Sequence, residues 1–388
     1  MELKKRHGVY FAVARVLLRL PFRIIYGYTA KPYKLKKDKS YLILSNHTAQ
    51  TDPVMLSLSF DRPIYFIAQD GLLKQKFGKI IYHMFSPIAK PKGRAEAFSI
   101  RESVSVVKQG GIVGLFASGN CTFNGVESEI DRSIVKFIRL LRSDLILYNN
   151  DGMFGIAPRF SAKRRRGRSF GYVVKEVPFE EIKEMSDDEL YKLVCDNLYV
   201  DAVKQRGNRL FKSKHRAEFL ERAFYVCPTC GKLCTIKSKG KYVTCSSCGY
   251  KAEYGEDLML HTECGNGFST LKEWDDWQKQ SIASFVPPES KAIFTDKIRV
   301  VEWHEGDGVD NVTKTAFEGG AITLYKDRFV VEKGDDKMVF DIDKLKFSFQ
   351  GRWNLLTYYE KMQYYIYGET PFNGVKYVEM LKRLKALQ

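Results

Sequence analysis

The sequence predicts an α/β protein with a small metal-binding insert and a β-rich C-terminal part. Three observations point there. Between residues 40 and 222, short apolar runs alternate with stretches of helical spacing, the pattern of a mixed sheet flanked by helices. Between 223 and 252 stand two CxxC pairs separated by fourteen residues. From 291 to 388 the chain turns to short alternating runs, the mark of antiparallel strands, and closes on an amphipathic helix. The division expected is an amphipathic segment (1–30), an α/β domain (31–222), a ribbon (223–252), a helical connector (253–290) and the β-rich part (291–388).

Composition limits the function classes. With 44% hydrophobic and 28% charged residues the chain has enough apolar material for a core and is not a disordered one. Lys and Arg number 63 against 46 Asp and Glu, and the net charge of +17 suits an anionic partner, either nucleic acid or an acidic membrane surface. No stretch approaches the roughly 20 apolar residues that span a bilayer. Arg15, Arg19 and Arg23 interrupt the N-terminal apolar segment, so no secretory signal is expected.

Taken in order, residues 9–28, VYFAVARVLLRLPFRIIYGY, place an arginine at every fourth position, which on a helix makes one basic stripe with apolar residues around it. Pro21 is expected to end or kink that helix. Two readings are open: an interfacial membrane anchor, favoured by the flanking Lys4, Lys5, Arg6, Lys31, Lys34, Lys36 and Lys37, or a surface helix packed on its own domain. YLILS (41–45) reads as a buried strand, PVMLSLSF as a helix and PIYFIA (63–68) as a second strand. Residues 95–109 are helical, GGIVGLFAS a strand, SIVKFIRLLRS a helix, and DLILYNN and SFGYVVKEVPF strands. Residues 186–206 read as one amphipathic helix capped by Ser186, and LKEWDDWQKQSI (271–282) as another, before a VPPES linker.

Cys227, Cys230, Cys245 and Cys248 have the spacing of a structural Zn2+ site of four thiolates, closed to substrate. Each CxxC forms a tight knuckle, with Gly231 and Gly249 supplying permissive backbone. Paired CxxC motifs also favour a reducing compartment. Zinc ribbons often bind nucleic acid, and the run KRRRGR (163–168) could serve that. But the ribbon holds few aromatics, no recognition helix is evident, and such a run is ordinarily a solvated face, so nucleic acid is not the expected partner.

The stretch SNHTAQTDP (45–53) follows directly on the strand YLIL. His47 and Asp52 therefore fall in the turn at a strand's C-terminal end, where α/β proteins hold ligands. Asp52 can cap the next helix, with Pro53 at its first position, or accept the imidazole N–H and fix its tautomer, as in a catalytic dyad. The residues alone leave both readings open.

This stretch resembles the first motif of the glycerolipid acyltransferases, the 1-acylglycerol-3-phosphate O-acyltransferase family, and its bacterial members with a C-terminal zinc ribbon. The likeness runs over about residues 10–205. PIAKPKG supplies Lys90 where the second motif has a basic residue. LFASGNCTFNG stands where the third motif reads Phe-Pro-Glu-Gly-Thr-Arg: Phe116 and Gly119 match, while Ser118 and Cys121 replace the charged Glu and Arg. LILYNNDG stands at the fourth motif. The resemblance implies acyl transfer from acyl-CoA or acyl-carrier protein to a lysophospholipid hydroxyl, with His47 as general base, Asp52 orienting it, and neither cofactor nor acyl-enzyme. It implies substrate contacts from Asn46, Lys90, Lys92, Arg94, Ser118, Gly119, Asn120 and Thr122, and a peripheral or monotopic place on the cytoplasmic face of the membrane.

The altered third motif leaves three outcomes: Lys90, Lys92 or Arg94 holds the acceptor phosphate; the acceptor is another lipid; or the chain is a catalytically weak lipid-binding or scaffold protein. A zinc-ribbon nucleic-acid binder is the further alternative. The strand order expected in 291–388 resembles pleckstrin-homology-like barrels by element order alone.

Overall fold

The structure is a computed structural model that describes residues 3–69, 78–90, 97–262, 267–305, 312–360 and 362–388. Lys92, Arg94 and Cys264 lie outside the described residues. The chain divides into two compact units: Met1–Arg159 with Arg164–Ser213 and Glu256–Leu258, and Phe160–Lys163 with Lys214–Gly255 and Met259–Gln388.

Among the described residues the first unit is built on seven strands: β1 (Tyr28–Ala30), β2 (Tyr41–Ser45), β3 (Ile64–Gln69), β4 (Ile88–Lys90), β5 (Ile112–Phe116), β6 (Asp144–Asp151) and β7 (Ser169–Val177), in the order β1-β7-β6-β2-β5-β3-β4. β2 pairs in parallel with both β5 and β6, and β3 in parallel with β5 and β4. β7 runs antiparallel to β6, so the sheet is mixed, as expected. The helices are α1 (Lys5–Tyr26), α2 (Asp52–Ser57), α3 (Gly78–Phe85), α4 (Ala97–Lys108), α5 (Ser133–Leu141), α6 (Met153–Ile156), α7 (Phe179–Glu184) and α8 (Asp187–Leu198).

YLILS is apolar throughout because both faces of β2 are covered. Leu42 and Leu44 join Val113, Leu145 and Leu147 in a core with Val106 of α4, Ile138 of α5 and Leu190 of α8. The alternate residues Tyr41 and Ile43 join Ile112, Ile146 and Tyr148 with Phe11 of α1 and Leu56 of α2. A strand locked on both faces fixes where its C-terminal turn begins.

Two expectations about helices change. Pro21 does not end α1, which continues to Tyr26 and stops at Gly27 in left-handed conformation, its N–H bonded to the Phe22 carbonyl. A proline this close to the helix end removes few backbone bonds. The helix expected over 186–206 stops at Leu198, because the next residues pair elsewhere: Ala202 N–H bonds Gly125 O at 2.9 Å and Glu127 N–H bonds Val200 O at 2.8 Å. Its Ser186 cap is a full capping box with Glu189.

The face of α1 turned to the domain buries His7 and Phe11 and half-buries Arg15, Leu18 and Phe22. Arg15 Nη1 donates to Phe60 O at 2.7 Å and Arg19 Nη2 to Leu58 O at 3.4 Å. Val9, Val16, Leu17, Leu20 and Ile24 instead project outward, each more than 60% exposed, and Ile80 and Ile81 of α3 are exposed as well. No helix among the described residues is long and apolar enough to cross a membrane.

The second unit holds a four-stranded antiparallel sheet, β8 (Ile236–Lys239), β9 (Tyr242–Cys245), β10 (Lys251–Tyr254) and β11 (Leu260–Thr262), followed by α9 (Leu271–Ala283). Trp274 of α9 is fully buried, packs against Tyr250 and donates its indole N–H to Val226 O at 3.0 Å. Eight further strands form one antiparallel sheet among the described residues: β12 (Phe294–Glu305), β13 (Val312–Glu318), β14 (Ala321–Leu324), β15 (Arg328–Lys333), β16 (Asp336–Asp341), β17 (Leu345–Gln350), β18 (Asn354–Tyr359) and β19 (Met362–Gly368). α10 (Gly374–Lys385) closes the chain and buries Val375, Tyr377, Met380, Leu381 and Leu384.

Candidate active site and metal site

β5 and β6 flank β2, so the chain crosses from one side of β2 to the other between them. Such a switch point opens a crevice at the strand ends, and the turn after Ser45 lies in it. Asn46 fastens the turn: its Nδ2 donates to Asn150 O at 3.0 Å, and Asn150 N–H donates to its Oδ1 at 2.8 Å. Asn46 is fully buried with both amide ends engaged, so it anchors the turn instead of facing a substrate.

Asp52 opens α2, and its Oδ2 accepts three hydrogen bonds: from Thr48 N–H at 2.7 Å, Ala49 N–H at 2.8 Å and His47 Nδ1 at 3.0 Å. The two jobs read from the sequence, ordering the turn and holding the imidazole, belong to one oxygen. A carboxylate acceptor at Nδ1 places the proton of the neutral ring there, so Nε2 is the nitrogen that gains and loses the second proton. Asp52 is fully buried, whereas the His47 side chain keeps 17% of its exposure, so the ring is reachable and its orienting group is not.

The backbone of His47 is clamped from two sides. Its carbonyl accepts from Thr122 N–H at 3.1 Å, and its N–H donates to Glu127 Oε2 at 3.1 Å. Phe116 stacks on the ring, centroids 4.3 Å apart. Cys121 Sγ lies 3.3 Å from Nε2 and 3.4 Å from Nδ1. Burial of the ring disfavours its charge, but the Cys121 sulfur and the Asp52 carboxylate outweigh it and push the imidazole up to about 10.

Glu127 is a site residue that sequence reasoning passed over, and Cys121 was read there only as the loss of the third motif's charge. They stand 80 and 74 residues from His47, and no local pattern marks either as its neighbour. Gly125 helps to place Glu127: its φ is +92°, and a Cβ there would meet the Phe154 ring at 2.8 Å. Burial pushes the Glu127 carboxyl up to about 7, against the opposing pull of the Ser118 hydroxyl, the His47 amide and the His47 ring. Arg159 is a third such residue. It is buried, donates to Cys121 O at 2.9 Å and stacks on Phe123 at 4.2 Å.

The other expected contacts separate into groups. Thr122 is buried, with its hydroxyl bonded to Asn124 and Gly125 inside the loop. Ser118 is half-buried, and Gly119 and Asn120 are exposed at the β5 end. Lys90 ends β4 on the same rim, three strand positions from β2, roughly 14 Å away. It lies near Asp131, whose carboxyl is held below its ordinary value first by Ser133 and also by Lys90.

The four ribbon cysteines converge, with all four sulfurs within 4.8 Å of one another. Cys227 and Cys248 are 3.6 Å apart and Cys230 and Cys245 are 3.9 Å apart. A tetrahedron with metal–sulfur bonds of about 2.3 Å has edges of about 3.8 Å, so the cluster fits a metal ion. The knuckles close through Gly231 N–H to Cys227 O and Gly249 N–H to Cys245 O. Of the run KRRRGR, Arg165 is turned inward and buried.

Residues 29–157 match the family model described as Acyltransferase, so the chain carries an acyltransferase domain. No curated protein matches the chain. Among solved structures it is similar to the 1-acyl-sn-glycerophosphate (LPA) acyltransferase PlsC from Thermotoga maritima, at 14% identity and a TM-score of 0.41, over 50% of this chain and 80% of that one.

Proposed function

We propose that the chain is a membrane-associated O-acyltransferase. It moves a fatty acyl group from an acyl thioester, acyl-CoA or acyl-carrier protein, to the hydroxyl of a lysophospholipid, most simply 1-acylglycerol-3-phosphate. The observation that carries this is the His47 ring, held through Nδ1 by a buried carboxylate and itself still partly exposed, inside an acyltransferase domain. His47 Nε2 takes the proton of the acceptor hydroxyl, and Asp52 fixes the tautomer and supports the charge that develops. Such a base supplies roughly 10²- to 10⁴-fold in rate.

Ser118 and Cys121 carry no charge for an acceptor phosphate. Lys90, Lys92 and Arg94 are the candidates for it, with Ser118, Gly119 and Asn120 offering hydrogen bonds at the β5 end. The outward apolar face of α1 and Ile80 and Ile81 of α3 support peripheral binding to a membrane, on its cytoplasmic side. Because Arg15 and Arg19 bond to the domain, the apolar face carries the insertion, and Lys5, Arg6, Lys31 and Lys34 beside it add attraction to anionic lipid. The four cysteines hold structural zinc, which when bound ties the two knuckles together and leaves no open position for chemistry.

The test is an acceptor screen on vesicles with labelled acyl-CoA. Acylation of lysophosphatidate ahead of lysolipids without a phosphomonoester is expected. Acylation of no lysolipid would refute the activity, and preference for an acceptor lacking phosphate would refute the assignment of the lysines and Arg94.

A further inference from the structure

We propose that the second unit holds a binding site for a phosphate group, centred on the buried guanidinium of Arg222. The site uses none of the acyl-transfer residues and does not depend on that reading.

Four segments of this unit build it. Arg222 ends a short 3₁₀ turn, Leu220–Arg222, that follows Phe219. Phe219 has φ +72°, in the left-handed region that residues with a side chain seldom adopt, and its N–H donates to Ser238 Oγ at 2.7 Å. Arg352 and Trp353 lie in the turn between β17 and β18. Phe160 and Ser161 supply carbonyls to the two arginines. Asn373, which caps α10, ties down the 3₁₀ turn by donating from Nδ2 to Glu221 O at 2.8 Å. The Arg222 guanidinium lies over the Phe219 and Trp353 rings, 4.0 and 3.8 Å from their centroids. Arg352 lies over the same Trp353 ring at 5.1 Å and donates to Ser161 O.

What this cluster lacks is negative charge. Arg222 is 2% exposed, yet no acidic side chain forms an ion pair with it among the described residues. The acid its charge feels, Glu221, accepts from the Ser238 hydroxyl instead. Burial and then the repulsion of Arg352 draw the guanidinium down to about 10, outweighing Glu221. Its donors are poorly met as well. Nη1 reaches Phe160 O at 3.3 Å, Nε is buried without an acceptor, and Nη2 is unbonded among the described residues. Aromatic faces offset part of a cation's charge, but they offer no acceptor to N–H groups at the edge of its plane. A charge taken out of water needs a partner and hydrogen bonds together. A phosphate oxyanion supplies both, since its oxygens match the planar fork of arginine. Arg352 adds a second positive charge, which favours a phosphomonoester dianion over a carboxylate. Phe219, Arg352 and Trp353 are half-buried, so the guanidinium lies one side chain below the surface.

The test uses the full-length, zinc-loaded chain labelled with 5-fluorotryptophan, with the Trp353 fluorine resonance assigned through Trp353→Phe. Inorganic phosphate, added at constant ionic strength, should shift that resonance saturably. Arg222→Met should weaken the binding about 10- to 100-fold, the loss of a hydrogen-bonded charge, and Arg352→Gln about 5-fold, the loss of a neighbouring charge. A second titration uses dioctanoyl phosphatidate as dispersed monomers. Binding at least about 10-fold tighter than inorganic phosphate assigns the site to a lipid headgroup, and equal or weaker binding assigns it to free phosphate. No saturable shift with either ligand overturns the proposal, as does an equal shift in Arg222→Met. If Arg222→Met does not fold, Arg352→Gln decides: an affinity equal to wild type overturns the site.

Discussion

Replacing Glu127 by Gln should remove a pH dependence from the stability of the acyltransferase unit. Glu127 carries a buried carboxyl raised from 4.5 to about 7. A folded-state value above the unfolded one means that the fold binds the proton more tightly. The stability this supplies is complete below pH 4.5 and is lost as pH rises through 7. The full loss corresponds to about 2.5 pKa units, roughly 3 kcal/mol, of which about 2–3 kcal/mol falls between pH 5 and 8.5. Glutamine keeps an oxygen for the His47 N–H and cannot ionise. All four tryptophans lie between 274 and 353, in the second unit, so their fluorescence is blind to this change. Urea unfolding should instead be followed by hydrogen exchange of 41–45 and 112–116. The gain of Glu127→Gln over wild type should grow by about 2–3 kcal/mol from pH 5 to 8.5. Parallel pH curves for the two proteins would refute the burial argument.

Further outcomes follow from the same geometry. Asp52→Asn should lower kcat by about 10²- to 10⁴-fold with the fold retained, since it removes the negative partner of Nδ1, and steady-state rates check this. Each chain should release one zinc ion to a chelator. Metal binding of this kind contributes on the order of 10 kcal/mol, so removal should change the emission of Trp274, which packs on Tyr250 of the ribbon. Leu17→Asp should weaken vesicle flotation about 10- to 100-fold, the equivalent of roughly 1.5–3 kcal/mol of apolar burial. Arg19→Ala should weaken it much less if Arg19 serves the domain and not the lipid.

Legibility in the sequence followed the range of the interactions involved. YLILS could be read as a buried strand because burial on both faces forces a continuous apolar run. The turn after it was legible because Asn46, His47 and Asp52 lie within seven residues, and the cysteine pairs because metal geometry fixes their spacing. The length of α8 was not: residues 200–202 have helical character, yet they pair with 125–127, a long-range preference that local periodicity does not record. The direction of α1 was hidden too. Periodicity separates its arginines from its apolar residues but cannot say that Arg15 turns to the domain with His7 and Phe11. Cys121 and Glu127 reach His47 only through the pairing of β2 with β5 and of 125–127 with 200–202. The replaced motif signalled a lost charge at Cys121, when its sulfur in fact touches the ring.

The central claim is that His47 performs acyl transfer. The most direct measurement is the initial rate of labelled acyl transfer from acyl-CoA to lysophosphatidate on vesicles, by wild type and by His47→Ala at equal membrane-bound protein. A loss of roughly 10²-fold or more, with hydrogen exchange of β2 unchanged, is the predicted result. Equal rates would contradict it.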